Sequence, residues 1–544
     1  DADATDTTGG YQRGNYCTWN PLAKGSNMVL KNGNLDIDTT TGKSAVLGTI
    51  GMSSGKWYWE TTINGSSDRT MVGIGKQGMD LSDAPGQGDA LGWGYYADGG
   101  NKLNNSTSTS YGDGFAGGGD VIGCAFDADN GTLTFYKNGT SQGTAFTGLT
   151  NGPYFPATGD GSSVNNADSS VNFGQMRFKY PMPSGYAALN TTALPAATIE
   201  DGSDHFYALA STGTFGGGTV TDSDANFTPD LVWVKRRNAA ERHKLYDILR
   251  GTDGTRYKHL ESDGNDAEGS GETGITAFVA GGYTSEGGGH INSDGQPFIS
   301  WMWNAGTSTV TNTDGTGTCQ LRANPTAGFS IATFTGVGTA KSYGHGLNAV
   351  PEMVIVKGVN HSDGWSVYHS ALGNTKSVAL NQTSAAYTSS VWDNTSPTNT
   401  VTRIGGDYRN TGNTNLILSF TSVAGYSAMG SYTGNGSSDG PFQFTGFQVK
   451  WLIIKGTSYA SNWNIFDTSR DTDNPAILQL RANLSNAEQS VTSGNSAILI
   501  DLLSNGFKLR AGAGSANDVN QSSQSYVWAA YAENPFSSNG GLAR

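Results

Sequence analysis

Short apolar runs separated by polar turns follow one another along the chain, and one such pattern occurs three times. Residues 230–247 read DLVWVKRRNAAERHKLYD, residues 352–369 read EMVIVKGVNHSDGWSVYH, and residues 450–467 read KWLIIKGTSYASNWNIFD. In each copy a lysine follows an apolar run, and an aromatic residue comes eleven positions later. The residues that define the element are Lys235, Tyr246, Lys357, Tyr368, Lys455 and Phe466.

These patterns predict strands. An apolar run without alternation is typical of a central strand buried on both faces, and the alternating segment before the aromatic residue is typical of its antiparallel neighbour. The lysine is then expected where the central strand leaves the core for solvent. The loop between lysine and aromatic residue changes from copy to copy, so we expect any specificity to lie there.

The spacing around the element indicates a repeated domain. A Thr-Gly pair precedes each copy and a further apolar run follows it at a similar distance. Units of about a hundred residues are an ordinary size for one β-sandwich. We predict β-sandwich repeats at residues 203–306, 327–425 and 427–536.

Residues 1–180 contain a different set of strand patterns. GKWYWETTI (55–63) alternates, and GDVIGCAFDADNGTLTFYKNG (119–139) has the turn residues of a β-hairpin. With VGIG, GWGYY and SVNFGQ, these motifs stand in an order that resembles the SPRY domain. The resemblance implies a concanavalin A-like sandwich of two antiparallel sheets and a role in recognition. Residues 181–202 contain several prolines and are predicted as a linker. The predicted fold class is therefore all-β without significant helix.

Composition narrows the possible partners. Gly is 78 of 544 residues, charged residues are 14% and aromatic residues 10%, which suits a folded protein with many tight turns. The net charge of −14 argues against nucleic acid as a partner. No apolar run is long enough to span a bilayer, so membrane insertion is not expected. Cys17, Cys124 and Cys319 form neither a disulfide framework nor a metal-binding pair, and Cys124 is expected to be buried.

Several short motifs match known binding or catalytic patterns, but the neighbouring sequence lacks the structural elements that those patterns require. GIGKQG (73–78) matches a dinucleotide-binding pattern but is followed by no helix, and GxSxG occurs three times without the strand-to-helix turn that a nucleophile needs. DADNG (127–131) is predicted as a hairpin turn, because no twelve-residue calcium loop follows. The seven histidines show no metal-ligand spacing. We therefore expect no metal and no cofactor.

A pair of carboxylates is the requirement for glycoside hydrolysis. Asp247 and Asp467 occupy matching positions of the first and third repeats, but the second repeat has His369 there. A position whose chemistry changes between copies is more simply a strand end than a general acid. We expect no enzymatic activity, with a polysaccharide depolymerase as an open alternative.

Aromatic residues near amides and hydroxyls can bind sugars, because the ring covers the apolar face of a sugar while polar groups bind its hydroxyls. Tyr96, Asn101 and Tyr111, around DGGNKLNNSTSTSYGDG, are candidate binding residues in the first block. Trp392 and Tyr408 are candidates in the second repeat.

The repeats themselves resemble those of bacteriophage tail-fibre and other virion proteins, especially of marine phages. FTGFQVKWLIIK, GSYTGNGSSDGPF and YAENPF carry this likeness. It implies a virion protein that is assembled in the host cytoplasm and is extracellular in the mature particle. The resemblance favours a homotrimeric tail fibre that contacts other virion proteins and recognises a host-surface glycan or protein. A purely structural capsid-decorating fibre or collar, a depolymerase and a secreted bacterial adhesin remain alternatives.

Overall fold

The computed structural model describes residues 15–40, 42–65, 69–115, 117–162, 167–269, 273–406, 411–490, 498–510 and 518–535. The chain divides into two compact units, one formed mainly by residues up to 196 and the other by residues 197–441 and 447–535. Regular structure in the described residues consists of β-strands and two single-turn 3-10 helices, Gly202–Asp204 and Ser370–Leu372. The predicted all-β class is confirmed. No described helix has the length and apolar character to cross a membrane.

Within residues 15–196 of the first unit, the described part of the chain contains fifteen strands. They are β1 Trp19–Lys24, β2 Met28–Lys31, β3 Asp36–Thr39, β4 Ser44–Gly48, β5 Lys56–Ile63, β6 Thr70–Lys76, β7 Gly92–Tyr96, β8 Asn101–Asn104, β9 Thr107–Ser110, β10 Val121–Asp127, β11 Thr132–Lys137, β12 Thr140–Phe146, β13 Tyr154–Asp160, β14 Asp168–Asn172 and β15 Ala187–Ala188. One sheet has the order β1-β4-β13-β6-β7-β8-β9, and the other has the order β12-β11-β10-β5-β14-β3-β2 with β15 on β5.

The two sheets of the first unit enclose one apolar core, which includes Trp19, Trp57 and Trp59. The motif GIGKQG begins within strand β6 and not before a helix. The residues predicted as a linker are partly structural, since β15 pairs in parallel with β5 and Leu189 is buried in the same core. Proline content alone did not reveal that this segment returns to the sheet.

The second unit contains the three repeats, except for residues 442–446 of the third, which belong to the first unit. Their strands are, in the first repeat, β16 Phe206–Thr212, β17 Gly217–Thr221, β18 Leu231–Arg236, β19 Lys244–Asp247, β20 His259–Glu261, β21 Ile275–Val279, β22 Gly282–Glu286 and β23 Pro297–Trp303; in the second, β24 Val310–Asn312, β25 Cys319–Asn324, β26 Phe329–Val337, β27 Lys341–Gly344, β28 Met353–Gly358, β29 Trp365–His369, β30 Lys376–Ala379, β31 Tyr387–Thr388, β32 Val401–Ile404 and β33 Thr411–Phe420; and in the third, β34 Ser427–Thr433, β35 Phe442–Phe444, β36 Phe447–Gly456, β37 Trp463–Asp467, β38 Leu478–Arg481, β39 Gln489–Ser490, β40 Ile500–Leu503, β41 Gly506–Leu509 and β42 Ser525–Pro535.

All three repeats have the same arrangement of strands in their larger sheet. The orders are β16-β23-β18-β19-β20 in the first repeat, β26-β33-β28-β29-β30 within a longer sheet in the second, and β34-β42-β36-β37-β38 in the third. The strands β18, β28 and β36 carry the repeated lysine as their second-last residue. They lie at the centre of these sheets and are buried on both faces over their apolar runs. The predicted central strands are therefore present in every copy.

One face of every central strand packs into a core that all three repeats share. Trp233, Ile355 and Ile453 occupy matching positions on these strands and belong to this single core. A cavity of about 30 Å³ lies among them and is lined by apolar residues of all three repeats. A cavity of that size holds about one water molecule, so the centre of the unit is closely packed.

Matching backbone hydrogen bonds link each repeat to the other two. Each bond runs from a backbone amide nitrogen after the fifth strand of the shared order to a carbonyl two residues after the repeated lysine of the next repeat. The donors are Glu268, Ala386 and Glu488, and the acceptors are Val359, Thr457 and Arg237, at 2.7, 2.8 and 2.7 Å respectively. Because the third repeat bonds back to the first, the repeats form a closed ring with approximate threefold symmetry.

Candidate recognition surface

The repeated lysines are buried, which corrects the expectation that they mark an exit to solvent. Lys235, Lys357 and Lys455 are all 0% exposed. The Lys455 Nζ donates to the carbonyl oxygens of Ser461 at 2.8 Å and Thr383 at 3.0 Å. Lysine is rarely buried without such partners. Each ammonium therefore donates hydrogen bonds to backbone carbonyl groups at the end of its own strand or in the loop that follows it.

Two of these lysines also connect neighbouring repeats. The Lys357 Nζ donates to the carbonyl oxygens of Asn265 and Asp266 in the first repeat, at 3.3 and 2.9 Å. Lys455 reaches Thr383 in the second repeat in the same way. The loops after these lysines are therefore held at the junctions between repeats. Exposed positions remain in each loop, and the expectation that these loops carry specificity stays a prediction.

Burial of the lysines makes stability depend on pH. Desolvation lowers the pKa of Lys455 from its ordinary 10.5 to about 8. Between these two pH values the unfolded chain still holds a proton that the folded chain has released. The free energy of unfolding therefore rises with pH through this range. Below pH 8 both states are protonated, and this gain in stability is absent. We expect the stability of wild type relative to Lys455→Met to rise by about 1–2 kcal/mol from pH 7.5 to 9.5. Urea unfolding at each pH measures this difference.

An exposed lysine provides the control for this prediction. Lys376 begins strand β30 and faces solvent. The stability difference between wild type and Lys376→Met should stay constant over the same pH range. A constant difference for Lys455→Met as well would contradict the account of a desolvated ammonium.

The repeated aromatic residues and the predicted ligand-binding tryptophan are also structural. Tyr246, Tyr368 and Phe466 are buried in the apolar cores. Trp392, expected to face a ligand, is 1% exposed, and its indole N–H donates to the Ser377 Oγ at 2.8 Å. Its ring also packs edge-on against Tyr368. That prediction is corrected, because the ring fills the second repeat's own core. Tyr408 lies outside the described residues.

The carboxylates considered for glycoside hydrolysis are both in buried ion pairs. Asp467 pairs with Arg470 at 2.6 Å, and Arg470 pairs with Glu488 at 2.9 Å. Asp247 pairs with Arg250 in the first repeat. Both aspartates and both arginines are almost fully buried. These acids hold arginine side chains, and neither faces a cleft.

The three candidates in the first unit lie on two faces of one sheet. Register along β7 and β8 pairs Tyr95 with Lys102 and places Asn101 beside Tyr96 on the outer face. Tyr96 packs there beneath Arg69, whose guanidinium lies 5.9 Å from the ring centre. Tyr111 instead packs against the inner core. The structure therefore brings Tyr96 and Asn101 together and separates both from Tyr111.

Tyr111 joins two hairpins. Its ring packs edge-on against Tyr95 at 5.2 Å, and its hydroxyl donates to the carbonyl of Gly143. Burial raises the pKa of Tyr111 to about 12, so the hydroxyl stays protonated as a donor. The Lys102 Nζ makes a parallel link to the carbonyl of Ala145 at 2.5 Å. These contacts bring the hairpin β8–β9 next to strand β12.

The surface formed by β9 and β12 is the candidate recognition surface, and we call residues 105–110 and 140–144 the hydroxyl edge. Strand β9 is the last strand of one sheet and β12 the last strand of the other, with no further described strand on their outer sides. All residues of β9 are exposed, as are Thr140, Ser141 and Thr144. An uncharged strand edge of this kind is a natural site for pairing with another chain.

The hairpin turn determines which backbone groups of β9 face outward. Asn105 and Ser106 have φ of 50° and 58°, which is typical of a two-residue type I′ turn. Asn104 and Thr107 flank this turn and form a hydrogen-bonded pair, so bonded and non-bonded pairs alternate from there along the register. The N–H groups of Ser108 and Ser110 consequently point away from β8. The signal for this edge hairpin in the sequence is an Asn-Ser turn followed by alternating Ser and Thr.

Comparison with known proteins finds one matching family model for each of the two units. A family model described as "Domain of unknown function (DUF7483)" matches residues 201–535, and the SPRY domain model matches residues 56–176. No curated protein matches the chain. The SPRY resemblance seen in the sequence is confirmed.

Solved SPRY structures are similar to parts of the chain. The SPRY domain of human HERC1 is 24% identical, with a TM-score of 0.26, and the match covers 29% of this chain and 99% of that one. The TRIM65 PSpry domain is 18% identical, with a TM-score of 0.25, covering 29% and 92%. Stonustoxin is 21% identical, with a TM-score of 0.24, covering 29% and 27%. Since the DUF7483 model spans more than half of the sequence, the chain belongs to the DUF7483 family and carries a SPRY domain before its repeats.

Proposed function

We propose that this protein is a non-enzymatic recognition protein of a bacteriophage particle, most simply a tail fibre. In this proposal the DUF7483 ring is a rigid support and the SPRY domain binds the host surface through the hydroxyl edge. The observation that supports the proposal best is the pair of uncharged, exposed edge strands β9 and β12. The virion context is supported by the resemblance of the repeats to phage fibre sequences, and a homotrimer with other virion proteins as partners belongs to the same proposal.

The edge favours an extended segment of a host-surface protein over a glycan. An added strand binds through main-chain hydrogen bonds, and the outward N–H groups of Ser108 and Ser110 supply donors for it. The hydroxyls of Thr107 and Thr109 flank those donors and are exposed. A glycan would depend on these hydroxyls, whereas a strand would depend on the backbone.

Binding to cells tests the proposal. Labelled full-length protein is titrated onto a panel of bacterial strains, and bound protein is measured by flow cytometry. We expect saturable binding to some strains that falls at least tenfold in Ser108→Pro, because proline removes an outward donor while the hairpin ladder stays intact. Ser108→Ala keeps the N–H and should bind like wild type.

Three outcomes would contradict parts of the proposal. Absence of binding to every strain would contradict host recognition. Undiminished binding of Ser108→Pro would contradict the role of the hydroxyl edge, and an equal loss in Ser108→Ala would favour a glycan over a strand. Sugar released into the supernatant would contradict the non-enzymatic assignment.

A further inference from the structure

A solvent-open pocket of about 340 Å³ lies in the DUF7483 unit, where the first and third repeats meet. The first repeat contributes Asp201, Ser203, Phe206, Tyr207, Ser223, Asp224 and Asn226, and the third contributes Lys450 and Ala532. Its volume is near the lower end of the range for small-molecule sites, which suits a ligand of about one ring. We infer that this pocket binds a single neutral sugar residue.

The floor of the pocket is a buried aromatic ring that is held in place by stacking, whereas the walls of the pocket are polar. Phe206 is 1% exposed and stacks on Tyr531 with ring centres 4.9 Å apart, which fixes the base of the pocket. Lys450 lies over the Tyr207 ring, 5.7 Å from its centre. The cation–π contact holds the ammonium at the wall of the pocket.

Two carboxylates, those of Asp201 and Asp224, line the pocket as hydrogen-bond acceptors. Asp201 uses its Oδ1 to accept from the Ser203 amide at 2.9 Å, and the Asn226 amide nitrogen donates to the Ser203 carbonyl at 3.2 Å. These bonds fix the loop that carries Asp224. Within the described part of the chain no group donates to the Asp224 carboxylate. That carboxylate is therefore available to accept from a ligand.

The charges select against an anionic ligand, because the carboxylates of Asp201 and Asp224 outnumber the single ammonium of Lys450. A sugar hydroxyl can donate to a carboxylate and accept from an ammonium at once, so a neutral ring with several hydroxyls satisfies both kinds of group. A neutral hexose or N-acetylhexosamine has the size and chemistry that the pocket requires.

The other two junctions lack this arrangement of groups. Counted from the repeated lysine, Lys450 corresponds to Asp230 in the first repeat and Glu352 in the second. Asp230 is 2% exposed and pairs with Arg322 of strand β25 at 2.7 Å. Glu352 accepts from the Ser422 amide at 3.0 Å. Asp230 and Glu352 are therefore held in contacts within the protein. Lys450, the matching residue where the third repeat meets the first, lines the pocket instead.

Saturation-transfer difference NMR on the full-length protein tests this inference. The probes are methyl glucoside, methyl galactoside and the methyl glycoside of N-acetylglucosamine. We expect saturation transfer to at least one of them, with a Kd on the order of 1 mM for so small a ligand. Glucuronate should bind more weakly than the neutral sugar of the same configuration.

Variants locate the site. Asp224→Asn should raise the Kd at least fivefold, and Ser223→Trp should abolish binding because the indole fills the pocket mouth. Both positions are exposed, so the fold is expected to persist, and Asp294→Asn changes an exposed aspartate of the same repeat outside the pocket. It should bind like wild type. No saturation transfer to any probe, unchanged binding in both pocket variants, or tighter binding of a charged sugar would overturn the inference.

The pocket is independent of the hydroxyl edge. It lies in the DUF7483 unit, and the sugar inference does not rest on the proposed function. Ser108→Pro should leave sugar binding unchanged. Loss of cell binding with retained sugar binding would therefore separate a failure of the proposed function from a failure of this inference.

Discussion

Replacing Asp467 with alanine is expected to lower the free energy of unfolding of the DUF7483 ring by about 3–5 kcal/mol. The change removes the carboxylate that pairs with Arg470 at 2.6 Å and accepts from the Trp301 indole N–H at 3.0 Å. Arg470 is 0% exposed, so its guanidinium would lose the nearest of its balancing charges within the protein. Urea unfolding of the full chain, followed by tryptophan fluorescence, measures the loss.

The second repeat provides a matched control for this experiment. Where the third repeat has Asp467, Arg470 and Glu488, the second has His369, Leu372 and Ala386. His369 keeps the turn, because its Nδ1 accepts from the Ala371 amide at 3.2 Å as Asp467 accepts from the Arg470 amide. The variant carrying Asp467→His, Arg470→Leu and Glu488→Ala removes the fully buried charges together. It leaves only Arg237, which pairs with Glu488 at 2.7 Å and is 22% exposed, to be solvated by water. It should lose less than half as much stability as Asp467→Ala.

A triple variant as unstable as Asp467→Ala would contradict this interpretation. It would mean that the ion network itself contributes the stability. Replacement of buried ion pairs by apolar groups is often nearly neutral, so we expect the opposite result. Far-UV circular dichroism shows whether each variant retains its sheet structure.

Replacing Trp463 with alanine is expected to cost about 3–5 kcal/mol. Trp463 is 2% exposed in the shared core, and its indole N–H donates to the carbonyl of Ala379 in the second repeat at 2.8 Å. Trp365 makes the same bond to Glu261 in the first repeat. The alanine variant therefore leaves a cavity and also loses a bond between repeats. Urea unfolding of the full chain measures the cost.

Phenylalanine at this position separates the two effects. Trp463→Phe keeps most of the ring volume but removes the donor, so its cost should be about 1–2 kcal/mol. Equal losses in Trp463→Phe and Trp463→Ala would contradict a mainly packing role. Little loss in either variant would contradict the shared core.

Much of the fold could be predicted from the sequence because its signals are local. Apolar runs identified β18, β28 and β36, alternation identified their neighbours, and Asn-Gly turns identified the hairpin of the SPRY domain. The closed ring could not be predicted in this way. Its contacts join residues such as Glu488 and Arg237, which are far apart in the chain, and no periodicity within one repeat indicates which surface meets the next.

The candidate site shows the same limit. A lysine at the end of an apolar strand usually reaches solvent, and only the carbonyl groups of Thr383 and Ser461 explain why Lys455 is buried. Trp392 stands in a polar stretch, but Ser377 provides the partner that lets its indole enter the core. Adjacent tyrosines such as Tyr95 and Tyr96 point to opposite faces of the sheet, so closeness in sequence did not predict a common surface.

We expect the three repeats to unfold as one closed cooperative ring. Native-state hydrogen exchange at the amides of Glu268, Ala386 and Glu488, which donate across the three junctions, tests it most directly. In a closed ring these amides become exposed only when the ring opens, so their free energies of exchange should agree within about 1 kcal/mol and fall together in urea. A free energy of exchange that is several kcal/mol lower at one junction than at the other two would contradict a closed cooperative ring.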